Sequence, residues 1–271
     1  MLRKIALGTA NFTQSYGVLP SDLDNLKVQS IIDFAMDNQI NAFDTAFAYG
    51  DFSEFLKDGM QVITKFSVFD DYGLLLQKLR QTNYYALLVH DPHSISKVKS
   101  DMLLKFFDDI RKESLVKKIG VSVYDFKDLR EFENIIKPDL IQIPLNPLNQ
   151  AFLTDNFVEY VNANGIEVHA RSLFLQGVLL SDTLPKFLNP ISDLWQNFKE
   201  TCGDSRLKKL LGWAFAQKFV DKWVLGISSI QDLLAIINCA KNISVNEFKD
   251  RFEAFKMVSH SLIDPRNWKS S

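Results

Sequence analysis

Cysteine is scarce: two in 271 residues, Cys202 and Cys239, far apart and in no CxxC pair. That argues against a disulfide framework or a thiolate metal site and reads as two reduced structural thiols in a cytoplasmic protein. Charge of one sign is lacking as well. The 31 Lys and Arg stand against 33 Asp and Glu, for a formal net charge of −2. Neither nucleic acid nor an anionic membrane is therefore an expected partner. No apolar run approaches the roughly 18 residues of a membrane span. Arg3 and Lys4 precede a short apolar stretch that Thr9 and Asn11 soon interrupt, so no signal peptide is expected. No low-complexity tract, clear repeat or linker divides the chain. With 46% hydrophobic and 24% charged residues the composition is ordinary for a globular protein, and the length suits an α/β barrel formed as a single domain over residues 1–271.

What is present is a series of short apolar runs, several ending on one titratable residue. The run Ile40 to Phe43 ends on Asp44, with Tyr49 and Gly50 close behind; Val62 to Thr64 ends on Lys65; Leu87 to Val89 ends on His90. Runs of this length read as buried strands of a parallel sheet. Eight of them are expected: Lys4–Leu7, Ala42–Asp44, Gln61–Lys65, Tyr85–His90, Lys118–Ser122, Leu140–Ile143, Glu167–Arg171 and Lys222–Leu225. Helical spacing predicts helices at Asp22–Gln39 (capped by Ser21 or Asp22), Tyr72–Arg80, Ile95–Ser114, from Asp125 to Glu133, Thr154–Asn164, Arg206–Phe219 and Ile230–Ala240. On the long fourth-strand helix, Val98, Met102, Leu103 and Phe106 are expected to share one face.

Eight strands alternating with helices imply parallel pairing and closure into a (β/α)₈ TIM barrel. Between the second and third strands only Ser53–Lys57 has room for a helical turn. That shortened connection is expected to open one side of the wall. Ser172–Gly203, with Pro185 and Pro190, reads as a loop-rich excursion, and Val245–Val258 as an amphipathic tail helix.

The strand ends place Asp44, Lys65 and His90 on one rim, where barrels carry out chemistry. Asp44 can hold Lys65 charged and aimed. A lysine cation beside Tyr49 is expected to lower the phenol's pKa and make it a proton donor near neutral pH. His90 can orient a substrate oxygen. A tuned acid beside an orienting donor suits protonation of a carbonyl oxygen, and the carbon then needs a hydride, which a nicotinamide cofactor supplies.

The chain resembles the aldo-keto reductases, over about Lys4 to Asn238. The motifs that carry the resemblance are LGTANF at Leu7–Phe12, FDTAFAYGDFSE at Phe43–Glu54, ITK at Ile63–Lys65, LLVHDP at Leu87–Pro92, KKIGVSVY at Lys117–Tyr124, LIQIPLN at Leu140–Asn146, ARSLFLQGVLL at Ala170–Leu180 and LGISSIQDL at Leu225–Leu233. Each alone is weak; eight in order at successive strand ends are specific. The resemblance implies a catalytic tetrad of Asp44, Tyr49, Lys65 and His90, with the tyrosine as acid during reduction by NADPH. It implies cofactor contacts from Gly8 and Thr9, from Ser122 and Gln142 at the nicotinamide carboxamide, from Arg171, Ser172, Leu173, Gln176 and Gly177 after strand seven, and from Gly226, Ser228, Ser229 and Asn238 at and after strand eight. Helix-start amides there can take phosphate oxygens.

Departures from the family pattern are specific. Val123 stands where Asn is frequent. Asp232 replaces an Arg for the adenosine 2′-phosphate, and Ala235 and Ile236 replace Glu and Asn. NADP is the expected cofactor, with NAD admitted. The pieces IGVSVY and RSLFLQG resemble a branch associated with sugar-nucleotide and surface-polysaccharide enzymes, which points towards a sugar-type carbonyl.

His90 and His93 form HDPH, but a zinc site needs three or four convergent ligands, so no metal is expected. His169 reads as a hydrogen-bonded wall residue and His260 as surface. Phe12, Tyr16, Phe47 and Phe66 either line an apolar pocket or pack in the core; Trp195, Trp213 and Trp223 read as packing. The expected function is NAD(P)H-dependent reduction of a small aldehyde or ketone. The alternative is a barrel that binds nicotinamide nucleotide with little turnover, as a binding or regulatory subunit.

Overall fold

Strands that are apolar on both faces need cover on both, and parallel neighbours need a crossover between them. The chain meets both demands by closing eight strands into a ring in chain order, all pairs parallel. They are β1 (Ile5–Gly8), β2 (Ala42–Asp44), β3 (Gln61–Phe66), β4 (Tyr84–Val89), β5 (Val116–Ser122), β6 (Leu140–Pro144), β7 (Glu167–Arg171) and β8 (Lys222–Gly226). The computed structural model describes residues 1–13, 23–244, 248, 252–255, 263–264 and 267–268. The ring is sealed where Leu7 of β1 pairs with Leu225 of β8.

The helices are α1 (Ala10–Thr13), α2 (Asn25–Asp37), α3 (Tyr72–Gln81), α4 (Ser100–Lys112), α5 (Phe126–Glu133), α6 (Asp155–Asn164), α7 (Ser192–Cys202), α8 (Arg206–Ala216) and α9 (Ile230–Lys241). Side-chain oxygens cap five of the nine, which fixes where each crossover turns. Asp24 accepts from the Lys27 amide at 2.8 Å, Asp71 from Leu74 at 3.0 Å, and Asp125 from Lys127 at 2.8 Å. Thr154 and Ser229 do the same for α6 and α9. Gly165 ends α6 at φ 62°, a left-handed stop that a side chain would strain.

Inside the ring, side chains alternate with period two. Ala6, Ala42 and Val224 form one small inner cluster; Ile63, Ala86, Leu88 and Leu140 form another. The outer faces of the strands join the large core beneath the helices. Below the inner layers the barrel is closed by a polar knot. Glu167 accepts from Tyr85 Oη and Lys118 Nζ, each at 2.7 Å, and its other oxygen lies 2.7 Å from His169 Nε2. Burial alone would raise the Glu167 pKa, but bonds from His169, Lys118 and Tyr85 hold it at about 2. His169 is thus the bonded wall residue its place in a strand suggested.

The shortened connection between β2 and β3 is real: it holds only two 3₁₀ turns, Phe47–Tyr49 and Ser53–Phe55. The wall, however, is not open. Phe52 and Phe55 are buried, with Phe52 6.2 Å from the outward ring of Phe43 and 5.7 Å from Phe55. Phe47 sets its edge on Tyr84 at 5.9 Å. Lys57 pairs with Asp33 of α2, and Asn25 reaches Glu54 at 3.3 Å. Aromatic rings take the place of a helix on the outer face, so the expectation of an open side is corrected.

Other expectations are corrected in detail. The long helix proposed for Ile95–Ser114 is broken: a 3₁₀ turn spans Pro92–Lys97, Val98 and Lys99 are extended, and α4 begins at Ser100. Ser94 and Ile95 are buried under that turn, whereas Met102 is 58% exposed and the buried face is Leu103, Phe106, Phe107 and Ile110. The Ser172–Gly203 excursion contains α7, with Trp195, Phe198 and Cys202 buried at helical spacing. α8 stops at Ala216, short of Phe219. The proposed caps Ser21 and Asp22, together with Tyr16, His260 and most of the tail helix Val245–Val258, lie outside the described residues; Asp24 caps α2. In the tail, Glu253–Phe255 is a 3₁₀ turn, and Phe252 packs against Phe198 at 5.5 Å and Trp213 at 6.3 Å. Trp195, Trp213 and Trp223 are packing residues, as expected. No helix among the described residues is long and apolar enough to cross a membrane.

Candidate active site

Strand parity brings the polar residues to one mouth. Asp44 stands two residues after Ala42, Lys65 two after Ile63, and His90 two after Leu88; Gln142 stands two after Leu140. Each preceding residue belongs to an inner cluster, so each polar residue shares its inward face one step nearer the strand's C-terminal end. Gly8 and Gly226 follow Ala6 and Val224 in the same way and pair across β1 and β8.

Lys65 Nζ and Asp44 Oδ1 form a buried ion pair, with side-chain exposures of 2% and 6%. Lys65 also donates to the Thr45 carbonyl at 2.8 Å. The other carboxylate oxygen of Asp44 accepts from Gln142 Nε2 at 2.7 Å, and Gln142 Oε1 accepts from Ser122 Oγ at 3.1 Å. Each oxygen of Asp44 thereby has a partner, which is what a buried carboxylate requires. Lys65 Nζ lies 5.5 Å from the centre of the Tyr49 ring. The edge of that ring meets His90, with centroids 5.8 Å apart and planes at 85°. All four tetrad candidates therefore meet at one mouth.

The electrostatics differ from expectation at Tyr49. Its phenol pKa is pushed up from the ordinary value of 10, first by burial and then by the Asp44 carboxylate; Arg171 opposes the shift and Tyr124 adds to it. The charge of Lys65 is spent on Asp44, so the predicted lowering does not occur. The result is a phenol that keeps its proton throughout the neutral range. His90 moves the other way, to about 4, because burial and then the Lys65 charge disfavour imidazolium. It is a neutral ring at pH 7.

Arg171, at the end of β7, lies over the Tyr124 ring with Cζ 4.1 Å from its centre. It donates to the Val123 carbonyl at 3.1 Å, and two of its nitrogens stand 3.4 Å from Ser122 Oγ and Ser172 Oγ. The loop that follows holds three of the five non-glycine residues with positive φ among the described residues: Ser172 at 65°, Leu175 at 48° and Gln176 at 55°; Gly177 follows at 93°. Left-handed backbone concentrated in one loop is typical of sites that present amides to a ligand. Leu173 in that loop is buried. Thr9 donates its amide to the Asp44 carbonyl at 2.9 Å, tying β1's loop to the tetrad strand.

The far end of the expected cofactor site is built differently. Ser228 gives its amide to the Asp232 carboxylate at 3.0 Å, and Ser229 Oγ caps the Asp232 amide at 3.1 Å. The Ser228 amide, one of the groups proposed for phosphate, is thus engaged by an acidic residue of the chain itself. Asn238 is exposed and nine residues along α9 from Ser229, roughly 13 Å at helical rise. It does not join the Ser228–Ser229 loop.

Of the aromatics proposed for a pocket, the three among the described residues do not line this mouth on their contacts. Phe66 packs outward on Phe106 and Phe107, Phe47 packs on Tyr84, and Phe12 is buried in the core. His93 is exposed, and among the described residues no three His, Cys, Asp or Glu gather for a metal. Sequence reasoning overlooked Thr45, whose carbonyl anchors Lys65, and Tyr124, which carries Arg171. Their one signal was position: each directly follows or nearly follows a strand end.

A family model described as "Aldo/keto reductase family" matches residues 73–254, more than half of the chain. That span includes His90 and starts after Asp44, Tyr49 and Lys65. No curated protein matches the chain. Among solved structures, aldo-keto reductase AKR11C1 from Bacillus halodurans, in its holo form, is 16% identical, with 94% of this chain and 93% of that chain covered and a TM-score of 0.73. The glycerol dehydrogenase AKR11B4 from Gluconobacter oxydans is 17% identical, with 99% and 93% covered and a TM-score of 0.69. At these identities the likeness is one of fold.

Proposed function

The chain belongs to the aldo/keto reductase family and is an NAD(P)-dependent oxidoreductase, and we propose that it reduces a small aldehyde or ketone with Tyr49 as the proton donor. A reduced nicotinamide, when bound, supplies the hydride that no side chain can. The donor set at the mouth fits its carboxamide. Gln142 uses one N–H and one lone pair internally, which leaves one of each for a ligand amide; Ser122 adds a hydroxyl. Gly8, Thr9, Arg171, Ser172, Leu173, Gln176, Gly177 and Gly226 make up the rest of the proposed cofactor rim. At the adenine end, Asp232 puts a carboxylate where a 2′-phosphate would need a cation. NADH is therefore accepted about as readily as NADPH.

The observation that carries this reading is the buried Asp44–Lys65 pair, bonded on both carboxylate oxygens, beside Tyr49 and neutral His90. Neutral His90 can donate one N–H to the substrate oxygen without delivering a full charge. The Tyr49 phenol stays protonated until negative charge develops on that oxygen, and then gives up its proton. Arg171 stands near enough to steady the phenolate left behind. Cys202 and Cys239, neither in a disulfide, suit a reducing, cytoplasmic setting. One of the similar folds is a glycerol dehydrogenase, so polyol-derived carbonyls belong beside keto-sugars in a substrate panel.

Consumption of NADH or NADPH with such a panel tests the activity. Tyr49→Phe is expected to lose at least about 10²-fold in rate, the low end for a positioned acid, with the dissociation constant of the cofactor unchanged. Full turnover by that variant removes Tyr49 from the mechanism. A reading as a binding barrel with little turnover drew part of its force from an open wall, and that wall is closed by Phe52 and Phe55.

A further inference from the structure

The charges at the mouth do not balance, and the imbalance has a location. Lys65 is paired with Asp44. Arg171 has no carboxylate partner among the described residues: its guanidinium is held by a carbonyl, by the Tyr124 face and, at longer range, by two serine hydroxyls. It is half-buried, and its field reaches both Tyr49 and His90. One of those serines, Ser122, is a residue assigned above to the nicotinamide carboxamide. A fixed, unpaired cation therefore stands within hydrogen-bonding range of the group that would hold the redox-active end of the cofactor.

The two redox forms of that ring differ by one charge: the oxidised pyridinium is cationic and the dihydropyridine is neutral. We infer that Arg171 discriminates between the two redox states of the cofactor, so that the mouth binds NADH and NADPH more tightly than NAD⁺ and NADP⁺. This rests on the cofactor assignment of the preceding subsection. Three features make Arg171 effective. The planar guanidinium cannot shed its charge. The Tyr124 face and the Val123 carbonyl hold it in place, so it cannot swing away when a second cation approaches. Partial burial weakens solvent screening. Lys65 is the other cation at the mouth, but it is ion-paired with Asp44, whose opposing charge acts on the same neighbours.

The test is binding in the absence of substrate, read from tryptophan fluorescence quenching or calorimetry on the full chain. The native protein is expected to bind each reduced form at least about tenfold more tightly than its oxidised partner, which corresponds to 1.4 kcal/mol. Arg171→Gln is expected to bring the two affinities within about threefold, chiefly by tightening the oxidised form. Arg171→Lys keeps the charge and is expected to retain most of the ratio. Should Arg171→Gln fail to fold, Tyr124→Leu releases the guanidinium from its stack and is expected to narrow the ratio. Equal affinities in the native protein overturn this inference alone, as does a ratio that Arg171→Gln leaves unchanged. Failure to bind either form overturns the cofactor assignment and this inference together.

Discussion

The Asp44–Lys65 pair makes a prediction that separates stability from catalysis. Lys65→Met removes the ammonium but keeps the length and apolar stem of the side chain. Asp44 is then left 5% exposed with Gln142 as its remaining side-chain partner. Removing one partner of a buried ion pair typically costs about 3–5 kcal/mol. The Thr45 carbonyl, which accepts from Lys65 at 2.8 Å, loses its bond as well, and an unmet buried acceptor costs about 1–3 kcal/mol. The two overlap, so a total near 4 kcal/mol is expected. Adding Asp44→Asn removes the stranded charge and leaves only the carbonyl unmet. The double variant should therefore regain about 2 kcal/mol over Lys65→Met, although it lies further from the native sequence. Activity should stay abolished in both. Urea unfolding at pH 7 without cofactor measures all three proteins, and constant m-values show that the unfolded states are comparable. A loss below about 1 kcal/mol in Lys65→Met, or no recovery in the double variant, refutes the buried pair as described.

Three further perturbations follow from single observations. His90 has a pKa of about 4 in the folded protein against the ordinary 6.5, so the unfolded chain takes the proton first. Stability should fall as pH drops through that window, by up to about 3 kcal/mol at 1.36 kcal/mol per pH unit. Urea midpoints at pH 7, 5.5 and 4 should show a shallower slope in His90→Asn; identical slopes would absolve the imidazole. Phe52→Ala strips the ring that replaces a helix against Phe43 and should cost about 3–5 kcal/mol, with Phe52→Leu recovering more than half. A loss under 1 kcal/mol in thermal or urea unfolding means the connection does not seal the wall. Gly120→Ala puts a methyl 1.9 Å from the Leu140 carbonyl oxygen, fixed backbone of the next strand. Soluble yield and circular dichroism should collapse, whereas Gly8→Ala, 3.3 Å from a Val224 methyl, should fold.

Strand ends were legible because each carries its own signal: a short apolar run, then one polar residue. Asp44, Lys65 and His90 follow that rule, and parity puts them, with Gln142 inside β6, on one face. Caps at Asp125 and Gly165 were legible for the same local reason. What escaped was set by long-range packing. α7 hides behind Pro190, yet Trp195, Phe198 and Cys202 bury one of its faces. The break before α4 exists because Ser94 and Ile95 are drawn under the rim, a demand the run Ile95–Ser114 does not announce. The direction of the Tyr49 pKa is not legible in the sequence because Lys65 pairs with Asp44, whose carboxylate then raises the phenol's pKa. Sign depends on which pair forms, and pairing is a property of distances.

The lost helix between β2 and β3 shows why a barrel can trim its exterior without disturbing its mouth. A strand presents two independent faces. Asp44 faces inward, and its geometry is fixed by Lys65, Gln142 and the Thr9 amide at its own carbonyl, none of which belongs to a crossover helix. Phe43, one residue earlier, faces outward and asks only for apolar cover. Two buried phenylalanines provide that cover within a connection that needs no helix. Tyr49 is the exception, because it rides on the connection itself, in the 3₁₀ turn Phe47–Tyr49. That turn is pinned outside by Phe47 on Tyr84 and inside by the Tyr49 edge on His90. Loosening the outer anchor should therefore act on the proton donor alone: Phe47→Ala is expected to lower kcat while leaving the Asp44–Lys65–Gln142 network and the affinity for reduced cofactor intact. An equal loss in cofactor affinity would mean the two faces are not independent after all.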